Sequence, residues 1–213
     1  MNTDDLLCLD GSGVRLDFDD MCSLPDSKVP RDRISDLEAL SVSNQPLHIV
    51  IDACCLLASW GYSEYVGKLR EFAVSHVSEG VGEITPHRNR GYDVTCERIL
   101  SAFISYWIRY EMRSPQEGED ARKLIFSSVT ELVRLASKEQ FELCELYQHV
   151  LDYKWVEYIP VLKEHFKAIL NNACQHDWKV VDAINFLDKY DADFVSEVLS
   201  KHNKSRSDYP LDR

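Results

Sequence analysis

Leu47-His48-Ile49-Val50-Ile51-Asp52-Ala53-Cys54-Cys55-Leu56-Leu57-Ala58-Ser59-Trp60 is the stretch whose reading decides the fold. Its first half is apolar and β-branched, the composition of a buried strand. A strand needs a neighbour, because a lone ribbon leaves its backbone donors and acceptors unpaired. No second run of this kind occurs in the chain. The stretch is therefore read as a helix from Leu47 to about Trp60. It carries His48 and Asp52 and falls short of the roughly 20 apolar residues that a membrane span requires.

Downstream of it the period is helical. Ser63 can cap a helix whose apolar positions Val66, Leu69, Phe72, Ala73 and Val77 share a face, ended by Gly80 and Gly82. Glu83 to Tyr92 is a polar loop, after which Asp93 caps a long helix with Cys96, Ile99, Leu100, Phe103, Trp107 and Met112 as its stripe. Ser114-Pro115-Gln116-Glu117 and Ser137-Lys138-Glu139-Gln140 both read as helix starts, each with Ser at the cap and an acidic or amide side chain near the end of the first turn. Pro160 opens a further helix, Asp177 caps another, and Asp191 caps a last short one containing Phe194, Val195, Val198 and Leu199. Short connections make neighbouring helices antiparallel. The expected fold is all-α: helical hairpins over 47–201, stacked as an irregular array or a compact bundle. The pairs at 115–153 and 160–199 have the length of a HEAT-type unit without residue-level similarity to each other. Residues 202–213 are polar and expected to fray.

Upstream, residues 1–46 hold ten acidic and four basic side chains, a single aromatic (Phe18), and Gly11, Gly13, Pro25 and Pro30. Such a segment buries too little apolar surface to offset its ordering entropy. It is expected to be a disordered acidic tail with a helical turn at Ile34–Leu40. Leu6, Leu7, Leu9, Leu16, Phe18 and Met21 alternate with carboxylates there, a pattern of segments that fold onto a partner's basic or apolar groove. Leu6-Leu7-Cys8-Leu9-Asp10 resembles the clathrin-box docking motif.

The 36 Asp and Glu against 24 Lys and Arg give a net charge of −12. This disfavours nucleic acid and anionic membrane as partners, since phosphate binding needs a basic footprint. The acidic start Met1-Asn2-Thr3-Asp4-Asp5 leads into no apolar run, so no secretory leader is expected and the location is read as intracellular, cytoplasmic or nuclear. Seven irregularly spaced cysteines without a Cys-x-x-Cys fit reduced thiols better than a disulfide framework.

Ile49-Val50-Ile51-Asp52-Ala53 resembles the opening of PIN- and NYN-type nucleases, in which an apolar strand ends in a Mg²⁺-binding Asp. That resemblance implies a metal site on Asp52 with further carboxylates, for which Asp120, Asp182 and Asp193 are available. His165, Cys174 and His176 lie near one another in sequence, but no zinc spacing is formed. The basic loop His87-Arg88-Asn89-Arg90, with Arg98 after it, is a candidate anion or partner patch. No motif calls for a cofactor. The residues therefore point to a non-enzymatic protein–protein interaction or adaptor module whose acidic-hydrophobic N-terminal tail docks on or regulates a partner. A Mg²⁺-dependent nuclease using Asp52 is the alternative.

Overall fold

The computed structural model describes residues 2–79, 92–171 and 177–209. Ten α-helices lie among them: α1 Thr3–Cys8, α2 Phe18–Cys22, α3 Ile34–Leu40, α4 Leu47–Ser59, α5 Glu64–Glu79, α6 Thr95–Glu111, α7 Pro115–Ala136, α8 Cys144–Tyr153, α9 Ile159–Asn171 and α10 Asp177–Lys201. No strand forms among the described residues; an isolated bridge joins Leu9 to Arg15. The fold is all-α. The chain divides into two compact units, Met1–Leu132 and Val133–Arg213, with the boundary inside α7.

In the first unit α4 packs most extensively on α6, and α3, α5, α1 and α2 also touch it. The cause is its composition. Ala53 to Ser59 are all buried, so this helix is apolar around its whole circumference and needs cover on every side. The β-branched run at its start does not override that demand: Ile51 is buried in helical conformation. Gly61, at φ +97°, ends the helix, with its amide bonded to the Ala58 carbonyl at 2.8 Å and that of Tyr62 to Leu57 at 3.1 Å. A Cβ at Gly61 would stand 3.2 Å from Arg109 Cδ, so the turn also needs glycine for space.

The cover explains why residues 2–43 differ from the expected disordered tail. Their mean composition is polar, but the few apolar side chains are spent on the rest of the unit: Leu6, Leu7, Met21, Cys22, Leu24, Val29, Leu37 and Leu40 are buried, Met21 and Leu37 completely. Polar groups fix the path. The indole of Trp60 donates to the Met21 carbonyl at 2.8 Å, and Arg33 donates to the carbonyls of Leu9 at 2.6 Å and Asp10 at 3.1 Å. Buried Asp10 accepts from the amides of Ser12 (2.8 Å) and Val14 (2.9 Å), closing the turn that returns the chain from α1. Asn2 and Asp17 cap α1 and α2. The helical turn expected at Ile34–Leu40 is α3.

In the second unit α9 packs on α10. Asp191 interrupts α10 with non-helical backbone, and its carboxylate accepts the Phe194 amide at 3.0 Å, so the segment after it is capped as its sequence indicates. The expected helix start at Ser137 is different. α7 ends at Ala136, and α8 begins only at Cys144. The Ser137 hydroxyl turns back to the Val133 carbonyl (3.2 Å) and to His165 Nδ1 (3.0 Å), and buried Lys179 donates to the carbonyls of Ala136 (2.9 Å) and Glu139. These tertiary partners cap the C-terminus of α7 where a new helix N-terminus was expected. Residues 202–209 also depart from the frayed reading. Arg206 grips Asp188 at 2.9 and 2.5 Å, and Tyr209 is buried.

Candidate functional site

α6 buries one face in the core of the first unit and turns another outward. Ser105, Ile108, Met112 and Arg113 belong to the outer one, and Met112 is 81% exposed. Met112 follows Trp107 by five residues, about 140° further around the helix, so it falls off the core stripe to which the sequence reading assigned it. Opposite this face runs the chain after α2, Cys22 to Asp26. The two walls enclose a cavity of about 270 Å³, lined chiefly by Leu24, Pro25, Ile108 and Met112 with Asp26, Arg109 and Arg113 at its charged end. That volume admits one or two side chains and is smaller than the usual small-molecule site of roughly 300–1,000 Å³.

The charged end is held by Arg109, 8% exposed. Its Nε donates to the Ser59 carbonyl and its Nη2 to the Leu24 carbonyl, both at 2.7 Å, while Nη1 pairs with Asp26. Arg113 donates to the other Asp26 oxygen at 2.8 and 3.2 Å and lies over the Tyr110 ring, and Arg31 reaches Asp26 at 4.0 Å. One carboxylate thus faces three guanidinium groups. Desolvation pushes the Asp26 carboxyl up, but the hydrogen bonds from Arg113 and Arg109 outweigh it and hold the group below its usual range. Arg109 thereby ties the leader wall to α4 and α6 at this end of the cavity.

Of the six residues expected as free docking anchors, Leu6, Leu7 and Met21 are buried and Leu9, Leu16 and Phe18 are half-buried. They are anchors, but the surface they engage belongs to their own chain. The reason is α4, which needs their cover. Of the basic patch, Arg88 and Arg90 lie outside the described residues. Arg98 is committed to the fold: it donates to Asp52 at 2.8 Å and stands over the Phe18 ring at 4.9 Å.

Asp52 sits in the second turn of α4, not at a strand end, and Arg98 is its partner. Burial raises its carboxyl pKa despite the attraction of Arg98. Among the described residues no three His, Cys, Asp or Glu side chains are grouped to hold a metal ion. Cys174 and His176 lie outside the described residues, and His165 is buried and neutral, its pKa lowered to about 3 by desolvation and by Lys179. Burial likewise pushes the Cys22 thiol up to about 12 and Cys54 to about 11, and raises Cys55 well above its ordinary value, so these thiols stay protonated and unreactive. Among the described residues no helix is long and apolar enough to cross a membrane.

The sequence reading missed Asp26, Arg109 and Arg113 altogether. Their signal was an arginine among the apolar residues of α6, but nothing local pairs it with a carboxylate 83 residues earlier. Compared with protein-family models, with curated proteins and with solved structures, the chain matches none of them.

Proposed function

We propose that this protein is a non-enzymatic protein–protein interaction module of the cell interior, built from antiparallel helical hairpins, in which the acidic N-terminal segment shapes and regulates the partner-binding surface. The observation that supports it most is the cavity beside α6. An exposed methionine and isoleucine on one wall and the leader residues Leu24 and Pro25 on the other leave apolar surface open at a place where the backbone is rigidly tied. Methionine-lined clefts adapt to varied apolar side chains, and a rigid frame spares the partner the cost of ordering the site. In this reading the leader acts by forming a wall. Its own apolar residues are not offered to a second protein.

The test is in-cell photo-crosslinking with benzoylphenylalanine placed at position 112, against the same probe at position 42, since Val42 is as exposed but lies off the cavity. A discrete protein adduct from position 112 and none from position 42 supports the module. The same adduct pattern from both positions overturns it.

A further inference from the structure

We infer that the cavity between Leu24–Asp26 and α6 binds a short acidic peptide segment of a partner, with one bulky apolar side chain seated against Ile108 and Met112 and a flanking carboxylate paired with Arg113. The inference rests on the interaction-module reading and names the chemistry of its partner.

Charge complementarity selects this occupant. The protein carries a net −12, so a local cationic site stands out against the field of the whole. Arg31, Arg109 and Arg113 face Asp26, and Glu117 also acts on Arg113, which leaves an excess of one positive charge beside an apolar cleft. Arg109 is held at each of its three nitrogens, by Ser59, Asp26 and Leu24, and serves as a fixed post. Arg113 and Arg31 reach solvent, with side chains 37% and 55% exposed, and their planar forks suit a carboxylate. A basic or neutral peptide would leave this excess uncompensated. A small organic acid would satisfy the guanidinium groups but leave the apolar walls empty, whereas an apolar residue next to Asp or Glu fills both.

The cavity size fits the same occupant. A space of about 270 Å³ takes an anchor side chain such as Leu, Phe or Met. Peptide recognition commonly concentrates its energy in one or two anchors of this kind. The wall opposite α6 is itself acidic-apolar chain, Leu24-Pro25-Asp26, and its Asp26 already occupies the arginine pair in the way the partner's carboxylate would. Asp26 therefore competes for Arg113 and sets a threshold that a weakly acidic segment does not cross.

The experiment selects a phage-displayed library of random dodecapeptides on the immobilised full chain and measures the enriched peptides by fluorescence anisotropy against the full chain and two variants. Met112→Asp and Arg113→Gln alter exposed side chains, so both variants should melt within a few degrees of wild type. The expected result is a consensus of a bulky apolar residue beside Asp or Glu, bound about tenfold or more weaker by either variant. Added salt should weaken the same peptides, because part of their attraction is screened. No enrichment, a basic consensus, or an acidic consensus that both variants bind like wild type overturns the inference. If the selection fails while the probe at position 112 still yields a protein adduct, the interaction module stands and only its acidic specificity falls.

Discussion

The leader, residues 2–43, and the α9–α10 pair are both helical, yet they are held in opposite ways. α9 and α10 are long, their apolar residues recur at helical spacing, and Asp191 caps the second half of α10 from three residues away. The leader helices are six, five and seven residues long, too short to persist alone, since isolated helices under about 12 residues are marginal in water. What orders them comes from far along the chain: Trp60 on Met21, Arg109 on Leu24 and Asp26, and the all-round apolar surface of α4. The difference shows that a polar mean composition does not decide order when a neighbouring helix needs cover.

The sharpest break of this contrast is removal of the leader. A chain starting at Gln45 loses eight buried apolar side chains and uncovers α4 and Trp60. Its melting midpoint should fall by more than about ten degrees against the full chain, as around 1 kcal/mol corresponds to roughly 2–4 °C at this size. An unchanged midpoint in calorimetry would return the leader to a dispensable tail.

Arg109→Ala comes next. It strands the Leu24 and Ser59 carbonyls and leaves Asp26 with its surface partners only. The expected cost is about 3 kcal/mol, read from the denaturant midpoint, because two carbonyls lose their charged donor. The same variant should loosen the cavity wall, so peptides that bind wild type should bind it more weakly.

Acid separates the two regions. His165 is neutral when folded, with its pKa lowered to about 3, and takes a proton near its ordinary 6.5 when unfolded. Stability of the second unit should therefore fall as the pH drops from about 6.5 towards 3, by up to about 1.4 kcal/mol per pH unit. The leader contacts behave differently. Asp10 and Asp26 titrate below the ordinary 3.8, so their contribution is present above that pH and is lost only as the pH falls through their lowered values. Between pH 6 and about 4.5, denaturation of His165→Gln should lose the slope seen in wild type; an unaltered slope would remove His165 from this account.

The smallest effect concerns Asp52. Asp52→Asn weakens one bond to Arg98, with Phe18 still beneath the guanidinium. Because burial already disfavours the charged carboxylate, the stability change should stay within about 1 kcal/mol, with peptide binding at the α6 cavity unchanged. Metal-dependent nucleic-acid cleavage by wild type that disappears in this variant would instead support the nuclease reading.

These differences also mark what the sequence could reveal. Periodicity and start signals made α6 and α7 readable, because each signal lies within a few residues of the element it defines. α4 was reached by elimination instead, since no second β-branched run exists to pair with it. Ser114 receives the Glu117 amide at 3.2 Å, as a local cap should. Ser137 has the same pattern but is diverted by His165 and Val133, contacts that no local window contains. The candidate site was hidden for the same reason: Asp26 and Arg109 are 83 residues apart, and Met112 is distinguished only by where the core lies.

Amide hydrogen exchange on the full chain reads directly whether the leader is an ordered wall of the first unit. Slow exchange is expected at Leu6, Met21 and Ser41, whose amides are bonded to Asn2, Asp17 and Leu37 at 3.1, 3.0 and 2.9 Å, with protection approaching that of α4 and falling together with it in Arg109→Ala. Exchange at random-coil rates through residues 2–43, with α4 fully protected, would contradict it.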